Sequence, residues 1–312
     1  MICHRPLDRH GGQTFHPVSH GLANYYMDIK SLSEKYKYVT VGKIPLMKVN
    51  PHLNLVNDFD RSEGSYEAAV KRLPRHAVEQ NKIDFFHEIS FMKNLGYHAH
   101  VISMLGCVSC TISPMIVVEY CEHGDLLHFV RKQRNLLSSI LIVLSQLRSF
   151  QADNEDSSSG SGDLRVRIKD LVSIAWQVSD GLTYLSSKNF IHRDVAARNV
   201  LLTKHLVAKV SDFGLGRYAD SALYTARGGR LPWAFAILLF EVFSFGDVPY
   251  AAIQPTDMIS HVEQGNRPEQ PERCPDEIFA LMTKCWRADP TDRPTFSEVS
   301  TSILSIVSSV GH

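Results

Sequence analysis

Hydrophobic positions recur along this chain at more than one period, and the changes of period mark out its elements. In EQNKIDFFHEISFMKNLG, Ile83, Phe86, Ile89, Met92 and Leu95 return every three residues, which predicts an amphipathic helix stopped by Gly96. Before it, YEAAVKRL reads as a strand; after it, PMIVVEYC reads as a buried one. GDLLHFVRKQR opens a second helix. Leu171, Ala175, Val178, Leu182 and Leu185 alternate spacings of four and three, the stripe of a core-facing helix. WAFAILLFEVF, residues 233–243, is densely apolar, as a buried helix would be. From there on the pattern is helices joined by loops.

Other stretches carry no such period. Residues 1–40 read as a leader without regular structure. Residues 132–166 interrupt the order: QADNEDSSSGSGD is acidic and low in complexity, a flexible loop, although its neighbour LLSSILIVLSQL is apolar. ARGGRLP, residues 226–232, has loop chemistry and runs into the apolar helix at Trp233 with no spacer. Such a junction is either a design or the scar of a missing piece.

Composition narrows the classes. The 312 residues carry 33 Lys+Arg and 33 Asp+Glu, so no net field draws the chain to nucleic acid or to an anionic membrane. Cys107 and Cys110 form one C-x-x-C with no second pair at zinc-site spacing, and read as buried thiols in a reducing compartment. His4, His10, His16 and His20 crowd the N-terminus in loop-like sequence, so a metal site there is not expected. No signal peptide opens the chain, and its two longest apolar runs fall short of the roughly 18–20 residues of a membrane span. As written it reads as cytoplasmic, with no membrane span.

The chemistry lies in IHRDVAARNVLLTKHLVAKVSDFGLGR, residues 191–217. Asp194 precedes Asn199 by five residues and Asp212 by eighteen, and the apolar pair NVLL and VAKV predicts a short hairpin that brings these groups to one edge. Phosphoryl transfer needs such a set. One carboxylate orients the attacking hydroxyl and accepts its proton; a second carboxylate and an amide oxygen hold Mg²⁺ against the phosphates.

Here the sequence resembles the protein kinase family. HRDVAARN fits the catalytic loop, DFG the metal-binding turn and AAVK the strand whose lysine holds the nucleotide phosphates. Glu88, seventeen residues after Lys71, falls on the helix that supplies the ion-pair partner, and CWRADPTDRPTF fits the tail. The resemblance runs from about 65 to 307, in order. AARN, GRLP and FSFGDVPY resemble the tyrosine kinase group, and the insert at 132–166 is similar to the kinase insert of some receptor tyrosine kinases. A receptor parent would place the protein at the plasma membrane.

The resemblance implies an α+β, two-lobed fold, with a small β-rich N-lobe at 41–120, a helical C-lobe at 121–307 and a tail at 308–312, both lobes incomplete. It implies ATP and Mg²⁺ as nucleotide and metal, tyrosine-bearing protein substrates, and a homodimer for trans-phosphorylation. By the same resemblance Asp194 is the base and Arg198 helps place the tyrosine hydroxyl. Asn199 and Asp212 hold Mg²⁺, and Lys71 and Glu88 form the phosphate-anchoring pair. Ala69 and Leu201 sandwich the adenine, Glu119 and Cys121 offer backbone bonds to it, and Val118 guards the pocket behind. Arg193 holds a phosphorylated Tyr218 or Tyr224. The plainer readings are that Lys71 and Glu88 are a surface pair, that His192 only holds its turn, and that both tyrosines are ordinary loop residues.

Two family pieces are missing. Between residues 35 and 71 the only glycines are Gly42 and Gly64, twenty-two apart, so the phosphate-covering glycine-rich turn is absent. At the other end Pro232 meets the helix Trp233 directly, where the family places about twenty residues that include its A-P-E element. A helix aspartate that holds the HRD backbone is lost, as is the glutamate that pairs with the arginine matching Arg293. Ala236 stands where the family has glycine. Arg293 is therefore expected to be solvated, re-paired with another acid, or left buried and unpaired. Both gaps leave their flanks in register, the pattern of dropped exons, of a gene-model artefact or of a truncated isoform. The alternative function is a catalytically impaired, pseudokinase-like binding or scaffold module.

Overall fold

The computed structural model describes residues 39–45, 65–73, 77–109, 113–135, 166–218 and 231–310. The leader through residue 38, most of the 132–166 insert, Cys110, Tyr224 and the four N-terminal histidines lie outside the described residues. The chain divides into two compact units: one runs to Glu122 and adds Ser211–Gly216, the other comprises His123–Val210 and Arg217 onward.

The first unit is built on a sheet of order β1-β2-β4-β3, with strands Val39–Pro45 (β1), Ser65–Arg72 (β2), Met104–Val108 (β3) and Met115–Glu119 (β4). Its strand pairings are antiparallel, Ala69 standing opposite Val41 on one side and Val118 on the other. The predicted helix is α1, Glu79–Leu95, closed by Gly96 at φ 78°. Its buried face differs from the predicted stripe. Phe85, Glu88, Ile89, Phe91, Met92 and Leu95 are buried, whereas Ile83 is 42% exposed and Phe86 half-buried. A strict three-residue repeat drifts around a helix of 3.6 residues per turn, so the stripe cannot stay on the core over five repeats.

In the second unit Gly124–Asp125 (β5) leads into a helix over 126–135 (α2), whose backbone start is held by Asp125 accepting from His128 N–H at 2.9 Å. The helix thus continues three residues past the point where the insert begins in the sequence reading. Ile168–Ser187 (α3) buries Leu171, Ala175, Val178, Leu182 and Leu185, the whole predicted stripe. Phe190–Ile191 (β6), Val200–Leu202 (β7), Ala208–Val210 (β8) and Arg217–Tyr218 (β9) are short; β7 and β8 form the predicted hairpin with Val200 opposite Val210, and β6 pairs with β9.

Helices Leu231–Phe243 (α4), Met258–Glu263 (α5), Asp276–Cys285 (α6) and Phe296–Val310 (α7) complete it. In α4, Phe235, Ala236, Leu238, Leu239 and Val242 are wholly buried. Pro232 falls in the first turn, where the missing N–H costs no helical bond. The helix starts at Leu231, and the rest of the junction, residues 226–230, lies outside the described residues. Among the described residues no helix is long and apolar enough to cross a membrane.

Candidate active site

The first unit assembles one set of polar groups. Ala69 and Lys71 lie two apart on β2 and so share a face, and Val118 opposite Ala69 shares it too. Ala69, Lys71 and Val118 are half-buried, while the flanking Ala68 and Val70 are sealed. Lys71 Nζ donates to Glu88 Oε1 and Oε2 at 3.0 and 2.8 Å and to Asp212 Oδ1 at 3.0 Å. Burial works against the lysine's charge, but the two carboxylates outweigh it and hold its pKa above the ordinary lysine value. With the Glu88 side chain only 6% exposed, the pair is no surface ion pair. Phe213, 1% exposed, packs its ring edge-on to Phe91 at 5.1 Å, and its N–H bonds to Glu88. That anchoring holds the preceding Asp212 in a left-handed conformation, φ 62°, with its side chain 52% exposed.

Glu119 is buried, yet its acid is satisfied: Oε1 accepts from Ser103 N–H at 2.8 Å, and its own N–H donates to Ser103 O at 3.1 Å. Cys121 is buried two residues on. Cys107 is buried in β3, where loss of water pushes its thiol pKa up. Among the described residues no group of three or more His, Cys, Asp or Glu could hold a metal by itself.

The second unit assembles the other set. Asp194 is held from several sides: Asn199 Nδ2 donates to its Oδ2 and its backbone O, each at 2.8 Å, and Arg198 forms a close ion pair with its Oδ1. Its N–H donates to Nδ1 of the buried His192 at 3.3 Å, which gives that histidine the structural part of holding the turn. A 3₁₀ turn, Ala197–Asn199, sets the Arg198 and Asn199 spacing. Leu201 is half-buried on β7 opposite Asp125. Arg193 is exposed at φ 68°. Tyr218 is 60% exposed, its ring edge-on to Phe190 at 5.9 Å.

Sequence reasoning missed one residue here. Ala197 N–H donates at 2.8 Å to Oε2 of Glu241, forty-four residues away on α4. Glu241 is the one acid in WAFAILLFEVF, which sets it apart in the sequence without indicating its partner. Burial pushes its carboxyl pKa up, against the Ala197 N–H and the charges of Arg198 and Arg131.

Arg293 is not left buried and unpaired, and its charge also acts on the Asp289 carboxylate. It is half-buried, donates through Nε to Arg287 O at 2.7 Å and through Nη2 to Ala288 O at 3.0 Å, and lies over the Trp233 ring, 4.9 Å from its centroid. Arg267 covers the same indole at 4.7 Å and donates to Trp286 O at 3.0 Å. Carbonyls just past the end of α6 and a π face thus accept the charge.

A lysine held by a helix carboxylate, a D-F-G turn pinned by its phenylalanine, and a caged H-R-D aspartate define the protein kinase class. The sequence model of the protein tyrosine and serine/threonine kinase family matches residues 52–232 and 232–303, and the chain belongs to that family. The match is split at residue 232, the position of the loop–helix junction. A Caenorhabditis elegans protein named "Putative tyrosine-protein kinase" is 54% identical over 284 residues, covering 85% of this chain and 31% of that protein. Fibroblast growth factor receptor 2 of Dugesia japonica is 33% identical over 82% of this chain and 30% of its own length. The fibroblast growth factor receptor of Strongylocentrotus purpuratus is 34% identical over 79% and 26%. The chain therefore resembles the kinase domain of receptor tyrosine kinases and spans under a third of these relatives.

Within the first unit, Lys71 is a part-buried cation held by Glu88, and Asp212 offers a half-exposed carboxylate; within the second, Asn199 has its amide nitrogen committed to Asp194 and an oxygen of the kind that hard cations take.

Proposed function

We propose that this chain is the catalytic domain of a receptor-type tyrosine kinase, transferring the γ-phosphate of ATP to tyrosine in protein substrates. The observation that carries the reading is the Asp194 cage. A carboxylate held by Asn199 and Arg198 is fixed where it orients a hydroxyl and takes its proton. The tyrosine oxygen bonds to the γ-phosphorus, the bond to the β–γ bridging oxygen breaks, ADP leaves, and the hydroxyl proton passes to Asp194. Arg198 offsets the charge that develops beside the carboxylate. Lys71, braced by Glu88, anchors the α and β phosphates, and Ala69, Leu201 and Val118 bound the adenine with backbone groups of Glu119 and Cys121. Asn199 and Asp212 would hold Mg²⁺, which would supply charge neutralisation at the phosphates. Arg193 receives a phosphorylated Tyr218 or Tyr224, which a second copy of the chain modifies.

A second reading, a kinase fold acting as a binding module, is favoured by the split of the family match at residue 232. One assay separates them. The chain is incubated with ATP, Mg²⁺ and a tyrosine peptide, with and without chelator. Phosphotyrosine that disappears on chelation supports the kinase. Nucleotide binding without any transfer supports the module.

A further inference from the structure

The segment 192–199 is fixed from within by Asn199 and His192, and the bond from Ala197 N–H to Glu241 Oε2, 2.8 Å, ties it to α4. Glu241 comes from α4, whose neighbours Val242 and Phe243 are sealed in the core, so the anchor is immobile. Three charged groups face its carboxylate: Arg198 and Asp194 from the segment, Arg131 from α2. Arg131 is held in turn, its Nε donating to Gly246 O at 3.0 Å, and Gly246 N–H bonds back to Glu241 O at 2.7 Å. Gly246 is at φ +87°, and a Cβ there would sit 2.4 Å from Arg131 Cγ, so only glycine lets this arrangement close. The sequence also starts α4 with Leu-Pro-Trp and supplies no acid in its first turn.

We infer that Glu241 is the positioning residue of the catalytic segment, fixing Ala197 so that Arg198 and Asn199 hold Asp194 in its working orientation, with Arg131 and Gly246 as its support. Two properties make Glu241 suited to this. Its acceptor is charged and half-buried, so the bond to the amide is stronger than a neutral one. Its charge is balanced by two guanidiniums rather than spent on either. An error of about 1 Å in such a segment costs on the order of 100-fold in rate. The inference rests on the kinase reading, and its test separates the two.

Glu241→Ala and Glu241→Gln are compared with the unaltered chain by amide exchange at Ala197 and by steady-state transfer to a tyrosine peptide. Glu241→Ala is expected to deprotect the Ala197 amide and to lower kcat about 100-fold with the peptide KM unchanged. Glu241→Gln keeps an acceptor and should retain protection and most of kcat. A rate restored by the amide while KM stays constant is not expected of a glutamate that only supports the fold. If Glu241→Ala fails to fold, Glu241→Asp, whose carboxylate is one methylene short of Ala197, decides alone: it should lower kcat with KM unchanged, and an unchanged kcat overturns the inference. Ala197 protection equal in Glu241→Ala and the unaltered chain overturns it as well. If the unaltered chain transfers no phosphate, the kinase reading fails, while the amide exchange still decides whether Glu241 anchors the segment.

Discussion

Lys71 is shared by two carboxylates, and Asp194 by an arginine and an asparagine, so the charged residues of this chain are positioned in groups. The Lys71–Glu88 pair was expected from the family resemblance, whereas the hold of Arg198 and Asn199 on Asp194 was not foreseen. The setting of Arg293 was not legible either, because it includes backbone carbonyls and an indole, which no residue spacing encodes. Their presence fixes the expected effect of removing it. Arg293→Leu strips two donors from the carbonyls of Arg287 and Ala288 and the cation from Trp233, and should cost about 1–2 kcal/mol. An unpaired arginine would give a neutral or stabilising change instead. The urea midpoint at constant slope separates the two outcomes. Arg267 donates to the carbonyls of Trp286, Val262 and Asn266 and covers the same ring, so Arg267→Leu should cost at least as much.

At the scale of elements, α3 was legible because five apolar residues at alternating spacings suffice to define one face. The stripe of α1 was misread at its start, since its first turns carry Phe85 inward and leave Ile83 at 42% exposure. The apolar run after Pro232 was legible as a buried helix, and it buries Phe235, Leu238 and Leu239. The glycines that follow α4 and α5 illustrate what sequence conceals. Gly246 and Gly265 both adopt positive φ, +87° and +90°, and look equivalent as letters. A methyl at Gly265 meets open space, whereas one at Gly246 meets Arg131. Gly265→Ala should therefore cost only backbone strain, about 1 kcal/mol, and Gly246→Ala clearly more, about 2–4 kcal/mol. Equal thermal shifts for the two would mean that Arg131 moves aside freely.

At the scale of the whole molecule, the family and its small strand-rich and larger helical units were legible. Glu241 was not, since a lone acid in an apolar helix gives no hint of a bond forty-four residues away. Buried thiols govern the alkaline behaviour. Burial raises Cys274 and Cys285 from about 9 to about 12. A thiol that holds its proton more tightly in the fold contributes stability that is whole below about pH 9 and is lost as pH rises toward about 12. The urea midpoint should fall between pH 8 and pH 10. The fall should be shallower in a Cys274→Ala, Cys285→Ala variant, even if that variant is weaker at pH 8. Parallel slopes in the two proteins would assign the loss to other groups.

The caged aspartate is the centre of the account, and Asp194→Asn tests it most directly because the amide keeps the shape of the carboxylate and removes its basicity. The measurement is the initial rate of phosphotyrosine formation by the unaltered chain and by Asp194→Asn, with saturating Mg²⁺–ATP and one tyrosine peptide. The account predicts transfer by the unaltered chain and a rate lower by at least about 100-fold in the variant, with nucleotide affinity unchanged. Equal rates in the two, or no transfer by either, would contradict it.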